Sequence, residues 1–122
     1  MCIFCSIAKG EIPSNKIYED ESVIAFLDIN PTSYGHTLVV PKEHCDSFLD
    51  CPDKTRNHVF EVASKLANKL ETVLHCDGIN VLTNVHEAAG QSVNHFHVHL
   101  IPRYKENDSV TIEFHEIEKP DF

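Results

Sequence analysis

Residues 95–101 read HFHVHLI, and Pro102 follows. Three histidines alternate with Phe96, Val98 and Leu100. That step of two decides how the stretch folds. In a strand, successive side chains point to opposite faces. His95, His97 and His99 then share one face, and Phe96, Val98 and Leu100 share the other. On a helix the same step would scatter the imidazoles around the cylinder. Phe and Val also favour strands. Same-face residues stand roughly 6.5–7 Å apart, so the imidazoles form a row able to work on one small substrate. The apolar face is left to pack on a helix or core.

Outward from this strand, VHEAAGQSVN (85–94) reads as the loop that leads into it, and INVLTN (79–84) as another strand. HTLVVP (36–41) is a strand stopped by Pro41, and INPTSYG (29–35) a loop broken by Pro31 and Gly35. IYEDESVIAFLD (17–28) reads as two strands joined by the acidic turn 19–22. The spacing of Val59, Val62, Ala63, Leu66, Leu70 and Val73 predicts one long helix over about 53–75. Asp50 or Asp53 is positioned to cap its start, and Gly78 lies just past its end. Short helical turns are expected at residues 5–9 and near Asp46–Leu49, and a last strand at Val110–Phe114. Strands separated mostly by turns, plus one long helix, predict an α+β fold: an antiparallel sheet of about five strands, the long helix and a short N-terminal one. With no repeats and no Pro/Ser linker, residues 1–122 read as a single domain.

Composition narrows the function classes. The 122 residues are 42% apolar, enough for a modest core. No apolar run approaches the ~20 residues of a membrane helix, and MCIFCSIAKGEIP lacks the basic and long apolar regions of a signal peptide. A cytoplasmic protein is expected. The net charge of −9 with neutral histidines argues against gripping nucleic acid through its phosphates. It leaves room for one small anion cradled by backbone N–H groups and imidazoles. Five cysteines in a cytosolic chain do not suggest a disulfide framework. Cys2 and Cys5, spaced C-x-x-C, then mean metal, redox chemistry or plain packing.

For the histidine row, three readings stand: inert bonded rings, a catalytic metal site with an open position, or imidazole acting as nucleophile and proton donor. At this point the residues resemble a known family. HFHVHLI fits every position of the motif His-φ-His-φ-His-φ-φ, φ being hydrophobic, of the histidine triad (HIT) family of nucleotide-binding hydrolases and transferases. The preceding AGQSVN and the block IFCSIAKGEIPSNKIYEDESVIAFLDINPTSYGHTLVVPKEH resemble the same family. The likeness covers about residues 2–104 and fades in the tail, about 105–122. Within the family the chain looks most like the Hint branch of purine nucleoside phosphoramidases and their bacterial, zinc-containing relatives.

The resemblance implies a HIT-like fold and attack at a nucleotide's α-phosphate. His97 would be the nucleophile and form a nucleotidyl-histidine intermediate. His99 would bond a phosphate oxygen or handle the leaving-group proton, and His36 would buttress the row. Ser92, Gln91 and Asn84 would contact the phosphate region; Gly90 permits close backbone approach there, and Ser92 offers a hydroxyl donor. Asp28 matches the position that bonds the ribose hydroxyls, and Ile3, Phe4, Ile7, Ile12 and Phe26 match the base pocket. Taken singly, each of those apolar residues is also ordinary core. Some members hold a structural zinc with a set that appears here as Cys2, Cys5, His44 and His95. The family also implies a homodimer joined through the strand of INVLTN. The expected ligand is a purine nucleotide such as AMP or GMP, as a phosphoramidate or phosphoanhydride. The alternatives are a dinucleoside polyphosphate hydrolase, a nucleotide-binding regulatory module with little turnover, and a zinc hydrolase.

Overall fold

The computed structural model describes residues 2–120, whose elements follow from short-range chemistry. Strand β1 (Lys16–Glu19) turns into β2 (Val23–Leu27) because Asp20 Oδ1 accepts the backbone N–H groups of Ser22 and Val23 at 2.8 and 2.7 Å. Asp20 Oδ2 accepts from Tyr18 Oη and His58 Nε2, both at 2.7 Å, tying this hairpin to the long helix α2 (Asp53–Leu74). Strand β3 (Thr37–Pro41) pairs with β2, and β5 (Val98–Arg103) pairs with both β3 and β4 (Gly78–Leu82). The sheet order is β1-β2-β3-β5-β4, antiparallel throughout. A short helix α1 (Ile3–Ala8) completes the α+β architecture.

Both faces of the central strands are covered, so β2 and β3 are apolar at nearly every position. Val23, Ala25, Val39, Phe96, Val98 and Leu100 pack under Val59, Val62, Ala63 and Leu66 of α2. On the opposite face, Phe4 of α1 packs with Ile24, Phe26, Leu38 and Val40. The alternation read from HFHVHLI therefore holds. Its apolar members face α2, and the histidines face the α1 side. No helix among the described residues is long and apolar enough to cross a membrane.

Several local expectations are corrected. The strand begins at Val98, so His95 and His97 lie on its approach rather than within it. Helix α1 starts at Ile3, earlier than expected, because Cys2 Sγ accepts the N–H of Cys5 at 3.3 Å and caps the helix. Residues 46–49 form no helix, since Asp50 takes the N–H groups of Asp46 and Ser47 into a turn. Asp50 is thereby unavailable to α2, whose N-cap is Pro52 with no side-chain cap, while Asp53 pairs with Arg56. The helix stops at His75, held left-handed at φ 54°, and Gly78 instead opens β4. Val73 is 63% exposed, so the buried stripe of α2 ends before it. No strand forms at Val110–Phe114. Arg103 bonds Asp108 and the Val110 carbonyl, and Ser109 bonds the Thr32 carbonyl, carrying the tail over a loop and leaving Phe114 91% exposed.

Candidate active site

The protons on three imidazoles are set by what each ring touches. Nδ1 of His97 lies 2.8 Å from the His95 carbonyl. A carbonyl only accepts, so Nδ1 carries the hydrogen and the neutral ring has its lone pair on Nε2. Nδ1 of His36 accepts the backbone N–H of Thr32 at 3.2 Å. Its hydrogen must then sit on Nε2, which donates to His99 Nδ1 at 2.9 Å. His99 in turn carries its own hydrogen on Nε2. Two rings 4.9 Å apart thus offer opposite chemistry: a lone pair on His97 and an N–H on His99. Burial holds the pKa of both His97 and His36 below that of a free imidazole. His99 is pushed down to about 4 by burial and by the neighbouring His97 and His36. All three rings are therefore neutral at pH 7.

Both rings open onto a cleft of about 250 Å³. Ile3, Phe4, Ile7, Ile12, Phe26, Asp28 and Ser92 line it together with His97 and His99. The Phe4 ring meets Phe26 and His97 edge-on, with centroids 5.7 and 5.1 Å away. Sequence reasoning did not name Pro13, Ser14, Ile29, Asn30, Leu38 or Val93, which complete the wall. Pro13 and Ser14 carry no pattern that would have marked them; they belong to the segment that links α1 to β1. Wider grooves occur elsewhere, including one of about 420 Å³ between α2 and β4, but that groove contains no histidine.

Three expected residues stand behind the cleft rather than on its wall. His36 supports His99 from the rear. Asn84 Nδ2 lies 3.4 Å from the Gly90 carbonyl, in a loop where Gly90 adopts φ 100°. Gln91 is buried and its amide is fully engaged. Nε2 donates to the carbonyls of Asp46 and Val93 at 2.6 and 3.0 Å, and Oε1 accepts the His86 N–H at 2.8 Å. Gln91 thus braces the loop that presents Ser92.

Beside the cleft, Cys2, Cys5, His44 and His95 converge. His95 Nε2 donates to the Pro41 carbonyl at 2.8 Å, and His44 Nε2 to Asp46 Oδ1 at 2.9 Å. Both Nδ1 atoms then carry lone pairs, yet they face each other at 3.2 Å. Neutral rings so arranged repel, and a cation between them removes the conflict. The sulfurs approach the same point: Cys2 Sγ is 3.1 Å from His95 Nδ1, and Cys5 Sγ is 3.4 Å from His44 Nδ1. A tetrahedral zinc with ordinary Zn–N and Zn–S bonds needs about 3.3 Å between its nitrogens and about 3.5 Å from sulfur to nitrogen. The donor set fits such an ion, with both outer ring nitrogens held as metal-bound histidines require. Asp28, His36 and His99 also cluster, but there an N–H already meets a lone pair, so no cation is needed. The buried thiols of Cys45 and Cys51 have their pKa raised by that burial, which keeps them unreactive.

The chain matches the HIT domain model over residues 9–106. It is 48% identical over 121 residues to an uncharacterized HIT-like protein of Methanocaldococcus jannaschii, covering 99% of this chain and 92% of that one. It is 41% identical over 111 residues to an adenosine 5'-monophosphoramidase of Saccharomyces cerevisiae, covering 91% of this chain and 68% of the other. A zinc-bound histidine triad family protein from Mycobacterium smegmatis superposes with a TM-score of 0.84 at 39% identity, covering 89% of this chain and 79% of that one. The triad motif, the fold and these relatives agree, and the chain belongs to the HIT, or histidine triad, family.

Proposed function

We propose that this protein is a cytoplasmic nucleotide-binding hydrolase that cleaves nucleoside 5'-phosphoramidates, or related nucleotidyl compounds, at the α-phosphate. The observation that carries the reading is the pairing of a lone pair on His97 Nε2 with an N–H on His99 at one cleft. In the first step His97 Nε2 bonds to phosphorus as the phosphorus–nitrogen bond of the substrate breaks. The amine leaves with one proton taken up from solvent. In the second step water replaces His97, one proton is released, and the nucleoside monophosphate departs. The sum consumes one water, and one hard displacement becomes two easier ones. His99 donates its N–H to a phosphate oxygen, where charge builds up, and Ser92 adds a hydroxyl. His36 keeps the His99 proton on the side facing the substrate. Cys2, Cys5, His44 and His95 would hold a structural zinc, whose contribution is to pin α1, with Ile3, Phe4 and Ile7, against the histidines. Four protein ligands would fill the positions of such an ion and leave none open for chemistry.

Purified protein is expected to turn over a fluorogenic adenosine phosphoramidate faster than diadenosine polyphosphates. Faster cleavage of the dinucleotides would instead assign a dinucleoside polyphosphate hydrolase, and tight AMP binding with no turnover a regulatory module. The same preparation tests the ribose contact. Asp28 Oδ1 accepts the Asn30 N–H at 2.9 Å, which holds the carboxylate at the cleft wall. Asp28→Ala should weaken AMP by roughly 1.5–3 kcal/mol, the value of a charged hydrogen-bond partner. Calorimetry should find a smaller loss for dideoxy-AMP, and equal losses would show that Asp28 does not read the ribose.

A homodimer through β4 completes the reading. This strand is an edge of the sheet, and its Val81 is 50% exposed beside the groove between α2 and β4. Pairing two such edges would satisfy their free backbone groups. Light scattering should give twice the monomer mass. A strictly monomeric, fully active protein at micromolar concentration rejects the dimer.

A further inference from the structure

His97 stands just outside the sheet to which its neighbours belong. The ladder between β3 and β5 ends at the pair Val39–Val98, and that between β4 and β5 ends at Leu82–His99. The main chain of His97 is thus beyond the last pair on both sides. Its carbonyl is nevertheless held, because Oγ1 of Thr83 donates to it at 2.7 Å. Thr83 is the first residue after β4. A side chain takes over where the main-chain ladder stops.

We propose that Thr83 is a positioning residue for His97, fixing the main chain from which the nucleophilic ring is aimed into the cleft; this rests on the reading of His97 as nucleophile. The ring itself is oriented by its Nδ1–H bond to the His95 carbonyl and by the Phe4 edge. Neither contact fixes the peptide that follows the ring. The Thr83 hydroxyl does, and nothing else about Thr83 reaches the cleft, since it is absent from the cleft wall. Losing that bond leaves a part-buried carbonyl unpaired and lets the peptide turn toward another donor. Displacement of an attacking atom by a fraction of an ångström lowers the rate of the chemical step more than it lowers ground-state binding.

Thr83→Val keeps the size and β-branching of the side chain and removes only the donor. Thr83→Ser keeps the donor and removes the methyl. Both are compared with wild type and His97→Ala on the fluorogenic adenosine phosphoramidate, at a temperature where circular dichroism shows each variant folded. Thr83→Val should lower kcat about tenfold, which is ~1.4 kcal/mol, with KM within about twofold of wild type. Thr83→Ser should restore kcat to within about twofold, and single-turnover formation of the nucleotidyl adduct should slow by the same factor as kcat. A purely structural role would lower the melting temperature and leave kcat alone. Wild-type kcat in Thr83→Val, or a serine variant as slow as the valine one, overturns the proposal. An inactive His97→Ala beside a fully active Thr83→Val overturns the positioning role alone, whereas a fully active His97→Ala overturns the nucleophile reading beneath it. If the valine variant does not fold, Thr83→Cys, similar in size with a weaker donor, should lose severalfold in kcat, and wild-type kcat there overturns the proposal equally.

Discussion

His97→Ala should remove nearly all turnover while leaving AMP affinity within about tenfold of wild type, one decade being ~1.4 kcal/mol. The asymmetry follows from the cleft. Most of its wall is apolar side chain plus Asp28, and these remain when one ring is removed. The lone pair on Nε2 is not replaced, because the neighbouring ring presents an N–H there. Intact mass spectrometry after a single turnover should find a nucleotidyl adduct on wild type, mapped to His97, bound through a phosphorus–nitrogen bond that acid releases. An adduct on another residue, or full activity without His97, would overturn the mechanism. The pH profile is a second readout. Attack needs the His97 lone pair, and burial holds that ring's pKa below the free value, so the acid limb of kcat should lie below about pH 6.5. His99 titrates near 4 in the folded protein, against about 6.5 for a free imidazole. Stability moves in the same direction. Between the folded and unfolded values the unfolded chain binds more protons, so this contribution is complete above about pH 6.5 and is lost as pH falls toward 4.

Cys5→Ser should abolish zinc binding and lower the melting temperature by about 10 °C or more, since structural zinc is linked to folding and each kcal/mol moves a domain of this size by several degrees. Wild-type protein should carry about one zinc per chain, as four closed ligands require. Helix α1 has only six residues, too short to persist on its own. Two of its fastenings are Cys2 at the cap and Cys5 one turn later, both directed at His44 and His95. Releasing them frees Ile3, Phe4 and Ile7 from the cleft, so AMP should bind more weakly to the variant as well. Metal analysis decides the ligand assignment: full zinc retention in Cys5→Ser would show that the ion sits elsewhere. An unchanged melting temperature with the metal gone would show that α1 docks without it.

Much of this protein was legible in its sequence because the deciding patterns are local. HFHVHLI alternates with a period that only an extended chain satisfies, and the stripe from Val59 to Leu66 repeats with that of a helix. Those two periods fixed which faces meet, and Phe96, Val98 and Leu100 do lie under that helix. The cleft wall of Ile3, Phe4, Ile7, Ile12, Phe26 and Asp28, and the set of Cys2, Cys5, His44 and His95, were legible through resemblance to a family. No periodicity marks them, and their members are separated by up to 93 positions.

What only the tertiary structure decided is where the ladders stop and where the protons sit. The strand begins at Val98 because Leu82 and Val39 are the last partners that reach it. The end of one strand is set by the ends of its neighbours, which no local pattern in residues 95–101 records. Gln91 reads as a polar loop residue, yet it is consumed by carbonyls at Asp46 and Val93. The Thr32 N–H determines that His36 donates to His99, and the Pro41 carbonyl turns the His95 lone pair toward the cysteines. A histidine in a sequence has two equivalent tautomers to offer. The choice between donor and acceptor is made by single atoms, the Thr32 N–H and the carbonyls of His95 and Pro41, and it appears only once the folded chain has set them within about 3 Å of the rings.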